Sequence, residues 1–116
     1  MSKRLRVGVV GVGYLGRFHA LIYGRHPDVD LVGVVDLDEE VCRRVAEEAG
    51  CRALGSPAEL VGQVDAVSIV VPTTAHWEVS RPFIEAGVHV LLEKPIAATV
   101  DDGLKITEAA ERAGIL

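Results

Sequence analysis

The residues of this chain whose types and spacing suit chemistry are three glycines, a carboxylate and a lysine next to a proline. The glycines stand as Gly11-Val12-Gly13-Tyr14-Leu15-Gly16, directly after the apolar run Val7, Val9 and Val10. Leu15, Phe18, Leu21 and Ile22 follow at helical spacing, and a second apolar run, Leu31 to Val35, stops at Asp36. Strand, glycine turn, helix, second strand and terminal carboxylate form the context in which a GxGxxG turn binds a dinucleotide. Each residue type has a job there. Gly11 allows a tight turn out of the strand, Gly13 lacks the Cβ that would hold a pyrophosphate off the backbone, and Gly16 lets helix and strand approach closely. The pyrophosphate is then expected against free N–H groups at the positive end of the helix dipole. Asp36 can accept both hydroxyls of the adenine ribose and repels a 2′-phosphate, which favours NAD over NADP.

Glycine turns after a first strand also occur in methyltransferases, with an acidic residue just before the glycines and a GxGxG spacing. Here Val10 precedes them, and the third glycine falls at the GxGxxG position.

The elements that must position these residues follow from periodicity and punctuation. A first strand is predicted over Leu5 to Val10 and a helix from Tyr14 to Gly24, broken by His26-Pro27-Asp28. A second strand covers Leu31 to Val35. Asp38 caps a second helix with Val41, Val45, Ala46 and Ala49 on its apolar face, closed by Gly50. A short strand from Arg52 to Leu54 leads to Ser56-Pro57-Ala58-Glu59, a helix start in which serine caps and glutamate reaches back. That helix ends near Gly62. Ala66 to Val71 reads as a buried central strand, Ala75 to Ala86 as a helix ended by Gly87, and His89 to Leu92 as a fifth strand. Thr99 opens a last helix, with Val100, Leu104 and Thr107 on one face, and Gly114 closes it. Strands alternating with helices imply an α/β fold, a doubly wound parallel (Rossmann) sheet of order 3-2-1-4-5 over residues 1–116. Ile115-Leu116 resembles the first two residues of a sixth strand. The expectation is therefore a piece lacking that strand, with the outer edge of strand five open to self-association.

Bulk properties narrow the function classes. At 116 residues one domain is expected, large enough to bury roughly two-thirds of its unfolded surface. Hydrophobic residues make up 49% and aromatics only 4%, so the core is aliphatic, which suits a sheet covered on both faces. Net charge is −5 and the longest basic cluster is Lys3-Arg4-Leu5-Arg6, which argues against nucleic-acid binding. No apolar run approaches membrane-spanning length, and a cytoplasmic protein is expected. Cys42 and Cys51 show neither CxxC nor zinc spacing, so they read as reduced thiols and no metal site is expected.

Four marks together, GVGYLG, Asp36 after VGVV, VPTTAHWE and EKP, resemble the Gfo/Idh/MocA family, named from glucose–fructose oxidoreductase and inositol dehydrogenase. The resemblance covers essentially the whole chain but only the N-terminal cofactor domain of that family. It implies that Gly11, Gly13, Tyr14, Leu15 and Gly16 line the pyrophosphate, and that Asp36, with Leu37 beside it, holds the adenosine ribose. It implies that Pro72 and Thr73 border the nicotinamide half with His76 close by. Glu93 and Lys94 would sit near the nicotinamide ribose, with Lys94 reaching the reacting hydroxyl. Family members oxidise a sugar, sugar-nucleotide or cyclitol hydroxyl by hydride transfer, or reduce the matching carbonyl.

The residues agree on location. Pro72 and Glu93-Lys94 follow strands predicted beside the first, at the carboxyl ends where open α/β sheets bind ligands. A lysine there can hydrogen-bond a substrate hydroxyl, take its proton and stabilise the developing alkoxide. Pro95 holds Lys94 to extended geometry. For His76 a local hydrogen bond in the first helical turn stands beside the cofactor contact. His19, His26 and His89 read as surface or packing residues, Trp77 as packing, and Arg43-Arg44 as a solvated face. The family's C-terminal substrate domain has no counterpart in the 116 residues, so nucleotide binding without turnover is expected. Two other readings remain, a non-catalytic NAD(P)-sensing regulator and a minimal dinucleotide-binding domain for folding studies. Lys94 speaks for chemistry.

Overall fold

The computed structural model describes residues 4–71 and 75–92. In chain order it comprises β1 (Leu5–Val10), α1 (Tyr14–Arg25), β2 (Val29–Val35), α2 (Glu39–Ala49), β3 (Arg52–Leu54), α3 (Ala58–Val61), β4 (Ala66–Ile69), α4 (His76–Glu85) and β5 (His89–Leu92). The strands form one parallel sheet in the order β3-β2-β1-β4-β5, as the alternation of elements predicts. β1 is central, pairing with β2 from Leu5↔Val29 to Val10↔Val35 and with β4 from Val7↔Ala66 to Val10↔Ile69. The chain runs outward from β1 to β3, then crosses over and runs outward again through β4 to β5. The strand order reverses at β1, and ligand crevices open at such a switch point.

Valine dominates the core because both faces of the sheet are covered and successive side chains point to opposite faces. Val9 and Val34 pack with Ala20, Val45 and Ala46 under α1 and α2. Val10 and Val35 point the other way, to Leu60, Val67, Ile69 and Phe83 under α3 and α4. Leu60, Phe83 and Ile84 are fully enclosed, and each contributes about 1.5–3 kcal/mol through the apolar area it removes from water. Under α1 the Tyr23 hydroxyl shares a 2.5 Å hydrogen bond with the Ser68 hydroxyl of β4. Arg17 bridges to Glu48 at 2.6 Å, joining α1 to α2.

Helix ends mostly follow the local signals. Asp38 Oδ1 accepts from the Glu40 and Val41 amides at 3.1 and 3.2 Å, and Gly50 closes α2 in the left-handed region at φ 73°. α3 follows the prediction in part. Its cap position is Pro57 and no side chain caps it; instead Glu59 Oε2 accepts from the amides of Ser56 (3.1 Å) and Gly55 (2.5 Å). The glutamate thus reaches back as expected, while the Glu59 amide donates to the Ser56 carbonyl oxygen at 3.2 Å rather than to the serine hydroxyl. β2 begins at Val29, two residues earlier than its apolar run, because it pairs with Leu5. β4 ends at Ile69 rather than Val71, although Val70 N still donates to Val10 O at 2.8 Å. α4 tolerates Pro82 in its interior. The predicted helix from Thr99 and the segment Glu93 to Pro95 lie outside the described residues.

Candidate functional site

The site begins where β1 ends. Gly11 has φ +89°, and a Cβ there would collide with the Val70 carbonyl oxygen. A Cβ on Gly16 would collide with the Gly11 carbonyl oxygen, so α1 crosses the turn at a distance only glycine permits. Gly13 is different: a Cβ there meets no protein atom within 4 Å. Two of the three glycines are thus demanded by the protein's own backbone, and the third opens onto the cleft. Gly13 is also the cap position of α1, which has no side-chain cap and no acidic residue in its first turn. The Tyr14 and Leu15 amides open this helix, where a positive partial charge accumulates.

Asp36 reaches this turn. Its Oδ2 accepts from Val12 N at 2.8 Å and its Oδ1 from Asp38 N at 2.9 Å. One residue earlier, Gly11 N donates to Val35 O at 2.7 Å. A cavity of about 500 Å³ opens beside them at the carboxyl ends of β1, β2 and β4. Val10, Val35 and Val70 line it, with Gly11, Gly13 and Asp36 at its polar rim. Leu37, Gly55 and Pro57 lie on the β3 side, and Ala75 and Val79 on the α4 side. Leu37 is fully exposed, an apolar surface available to a planar ring.

The structure therefore brings Gly11, Gly13, Gly16, Asp36 and Leu37 together with the backbone of Tyr14 and Leu15. His76 is 1% exposed and its Nε2 lies 3.1 Å from the Val71 carbonyl oxygen, the local contact weighed above. Among the described residues Val71, which accepts this contact, lines the cavity and His76 does not. Pro72, Thr73, Glu93 and Lys94 lie outside the described residues. Sequence reasoning missed Glu39, Gly55, Pro57, Ala75 and Val79 as lining residues. The available signal was that loops following parallel strands gather at one end of the sheet.

The cysteines stand apart from this rim. The Cys42 thiol is buried and donates to Val34 O at 3.3 Å, and burial pushes it up from its ordinary value. Burial also pushes Cys51 up, to about 11. Among the described residues no three His, Cys, Asp or Glu side chains gather as a metal site, and no helix is long and apolar enough to cross a membrane.

A doubly wound parallel sheet with a glycine turn, an uncapped helix start and a carboxylate at the end of β2 defines a dinucleotide-binding domain. The chain belongs to the Gfo/Idh/MocA oxidoreductase family with an NAD-binding Rossmann fold, whose profile matches residues 5–116. It is 46% identical over 98 residues to UDP-N-acetylglucosamine 3-dehydrogenase of Acidithiobacillus ferrooxidans, covering 84% of this chain and 31% of that protein. It is 40% identical over 107 residues to inositol 2-dehydrogenase 1 of Saccharopolyspora erythraea, covering 88% of this chain and 32% of that one. The structure of Synechocystis biliverdin reductase with biliverdin and NADP+ superposes with a TM-score of 0.89 at 30% identity, covering 97% of this chain and 36% of that one. The chain spans about a third of the length of these relatives.

Proposed function

We propose that this chain is the cofactor domain of an NAD-dependent oxidoreductase that acts on a CH–OH group of a sugar, sugar nucleotide or cyclitol. The observation that carries the reading is the pairing of Asp36 with Val12 N beside the open space at Gly13. A diphosphate at Gly13 faces the first amides of α1. An adenosine ribose beside it meets the Asp36 oxygens, each of which retains a lone pair after its backbone bond. Gly11 and Gly16 shape the turn, Tyr14 and Leu15 offer amides, and Leu37 covers the adenosine side. A 2′-phosphate would meet the Asp36 charge, which supports NAD over NADP.

The nicotinamide half is assigned to Pro72 and Thr73, with His76 close by the cofactor, and to Glu93 and Lys94. The bound dinucleotide supplies the hydride acceptor. Lys94 in its neutral form takes the hydroxyl proton as the carbon gives up its hydride, so the substrate leaves as a carbonyl. The remaining two-thirds of the relatives' length is where a substrate pocket is sought, so the 116 residues alone are assigned nucleotide binding without turnover. The reduced thiols fit a cytoplasmic setting.

Calorimetric titration of NAD and NADP into the chain and into Asp36→Ala tests the assignment. NAD is expected to bind at least tenfold tighter than NADP, with that margin lost in the variant. Equal affinities in the parent chain would sink the role of Asp36 in cofactor choice. NADH production from sugars or inositol by the 116 residues would overturn the division of labour.

A further inference from the structure

We infer that Asp36 is a positioning residue for the glycine turn, setting the diphosphate-binding amides independently of its contact with a ribose. The inference rests on the nucleotide reading above and goes beyond it. The two amides leading into Gly13 are both held by the end of β2, Gly11 N by Val35 O and Val12 N by Asp36 Oδ2. The second carboxylate oxygen is fixed in turn by Asp38 N. Asp38 is itself the cap of α2, through Oδ1. One side chain thus ties the turn after β1 to the start of α2. The Val12 side chain is wholly enclosed, so its backbone cannot swing freely to present the N–H elsewhere.

Two consequences follow from this geometry. The Val12 amide is committed to Asp36, so the donors left for an anion are those of Gly13, Tyr14 and Leu15. Without the carboxylate, the Val12 N–H loses its acceptor in a partly buried place, where an unmet donor is costly. The turn must then rotate toward water, and the amides after it rotate too. Replacing Asp36 by a small residue to admit NADP therefore weakens the diphosphate grip on both cofactors rather than simply exchanging one for the other.

The test separates the turn from the ribose by using ADP and 2′,3′-dideoxy-ADP, which lacks both hydroxyls Asp36 would accept. Both are titrated into the parent chain, Asp36→Ala and Asp36→Asn, with Val12 amide hydrogen exchange followed by NMR. Asp36→Ala is expected to weaken dideoxy-ADP at least fivefold and to accelerate Val12 exchange at least tenfold. Asp36→Asn, whose amide oxygen can take the Val12 N–H, is expected to restore dideoxy-ADP to within twofold wherever Val12 protection returns. If Asp36→Ala leaves dideoxy-ADP within twofold of the parent while ADP falls, Asp36 acts through the hydroxyls alone and the inference is overturned. It is equally overturned if protection returns in Asp36→Asn without affinity. A parent chain that binds neither ADP nor NAD defeats the nucleotide reading instead, and unchanged Val12 exchange in Asp36→Ala then refutes the tie by itself.

Discussion

Replacing each glycine of the turn by alanine should separate folding from binding. Gly16→Ala places a methyl group against the Gly11 carbonyl, a backbone atom that can retreat only if α1 lifts off β1. Overpacking of this kind costs about 1–3 kcal/mol where side chains can adjust, and here a whole helix must move. Gly11→Ala meets the Val70 carbonyl and also puts a side chain at φ +89°, adding about 1–2 kcal/mol. A Cβ at Gly13 meets no protein atom, so Gly13→Ala avoids both clashes and should cost less folding energy than either. Its effect falls on the ligand. A methyl group at Gly13 would stand where the proposed diphosphate approaches, and losing one hydrogen bond to a charged group costs about 1.5–3 kcal/mol. That corresponds to roughly 10- to 150-fold in Kd.

Thermal melts and NADH titration on the same three variants read both quantities. Gly11→Ala and Gly16→Ala should melt well below the parent or fail to fold, while Gly13→Ala should melt above both and bind at least tenfold more weakly. Unchanged NADH affinity in Gly13→Ala would refute the placement of the diphosphate. A melting loss in Gly13→Ala as large as that of Gly16→Ala would refute the claim that its space belongs to a ligand.

Three further outcomes test the fold around the site. With its thiol pushed up to about 11 from an ordinary 9.0, native Cys51 should be alkylated about a hundredfold more slowly at pH 8 than in urea, read by mass spectrometry. The raised value means that the native state holds this proton more tightly. The associated stability is present below pH 9 and is lost as pH rises toward 11, and equal alkylation rates would contradict it. Phe83 is fully enclosed under α4, so Phe83→Ala should cost about 3–5 kcal/mol in denaturant unfolding, and a loss under 1 kcal/mol would mean that α4 is not packed as described. Among the described residues β5 pairs only with β4, and an edge left open there would show as concentration-dependent self-association in sedimentation. A stable monomer at high concentration counts against it.

The glycine turn and Asp36 were legible in the sequence because each answers to a local limit. A left-handed φ, a backbone crossing and an open approach all demand glycine, and the carboxylate sits where a buried strand must end. Strand order was legible too, since alternating strands and short helices leave few right-handed arrangements. Other features depend on contacts between segments far apart in the chain. Periodicity could not show β2 starting at Val29, because the pairing with Leu5 extends the strand into a polar stretch. At α3 the reach-back of Glu59 was legible, but only the folded loop decides that the carboxylate also takes the Gly55 amide and that the Glu59 amide goes to the Ser56 carbonyl. The cavity rim at Glu39, Gly55, Pro57, Ala75 and Val79 is assembled from loops after different strands.

The Asp36 carboxylate shows how much of a residue's part in a fold lies beyond its place in the sequence. From sequence it is a group at a strand end, available to a sugar hydroxyl. In the fold it is already in use, accepting one amide from the glycine turn and one from the approach to α2. These bonds leave one lone pair on each oxygen and fix the direction in which it points. A ribose would therefore meet a carboxylate whose orientation has been set by the same turn that faces the diphosphate. On the proposed reading, recognition of sugar and diphosphate would be coupled through Val12 N, and a substitution at Asp36 would not be confined to the sugar. This coupling requires β1 and β2 to be adjacent, as they are in the order β3-β2-β1-β4-β5, and would be lost in any sheet that separated them.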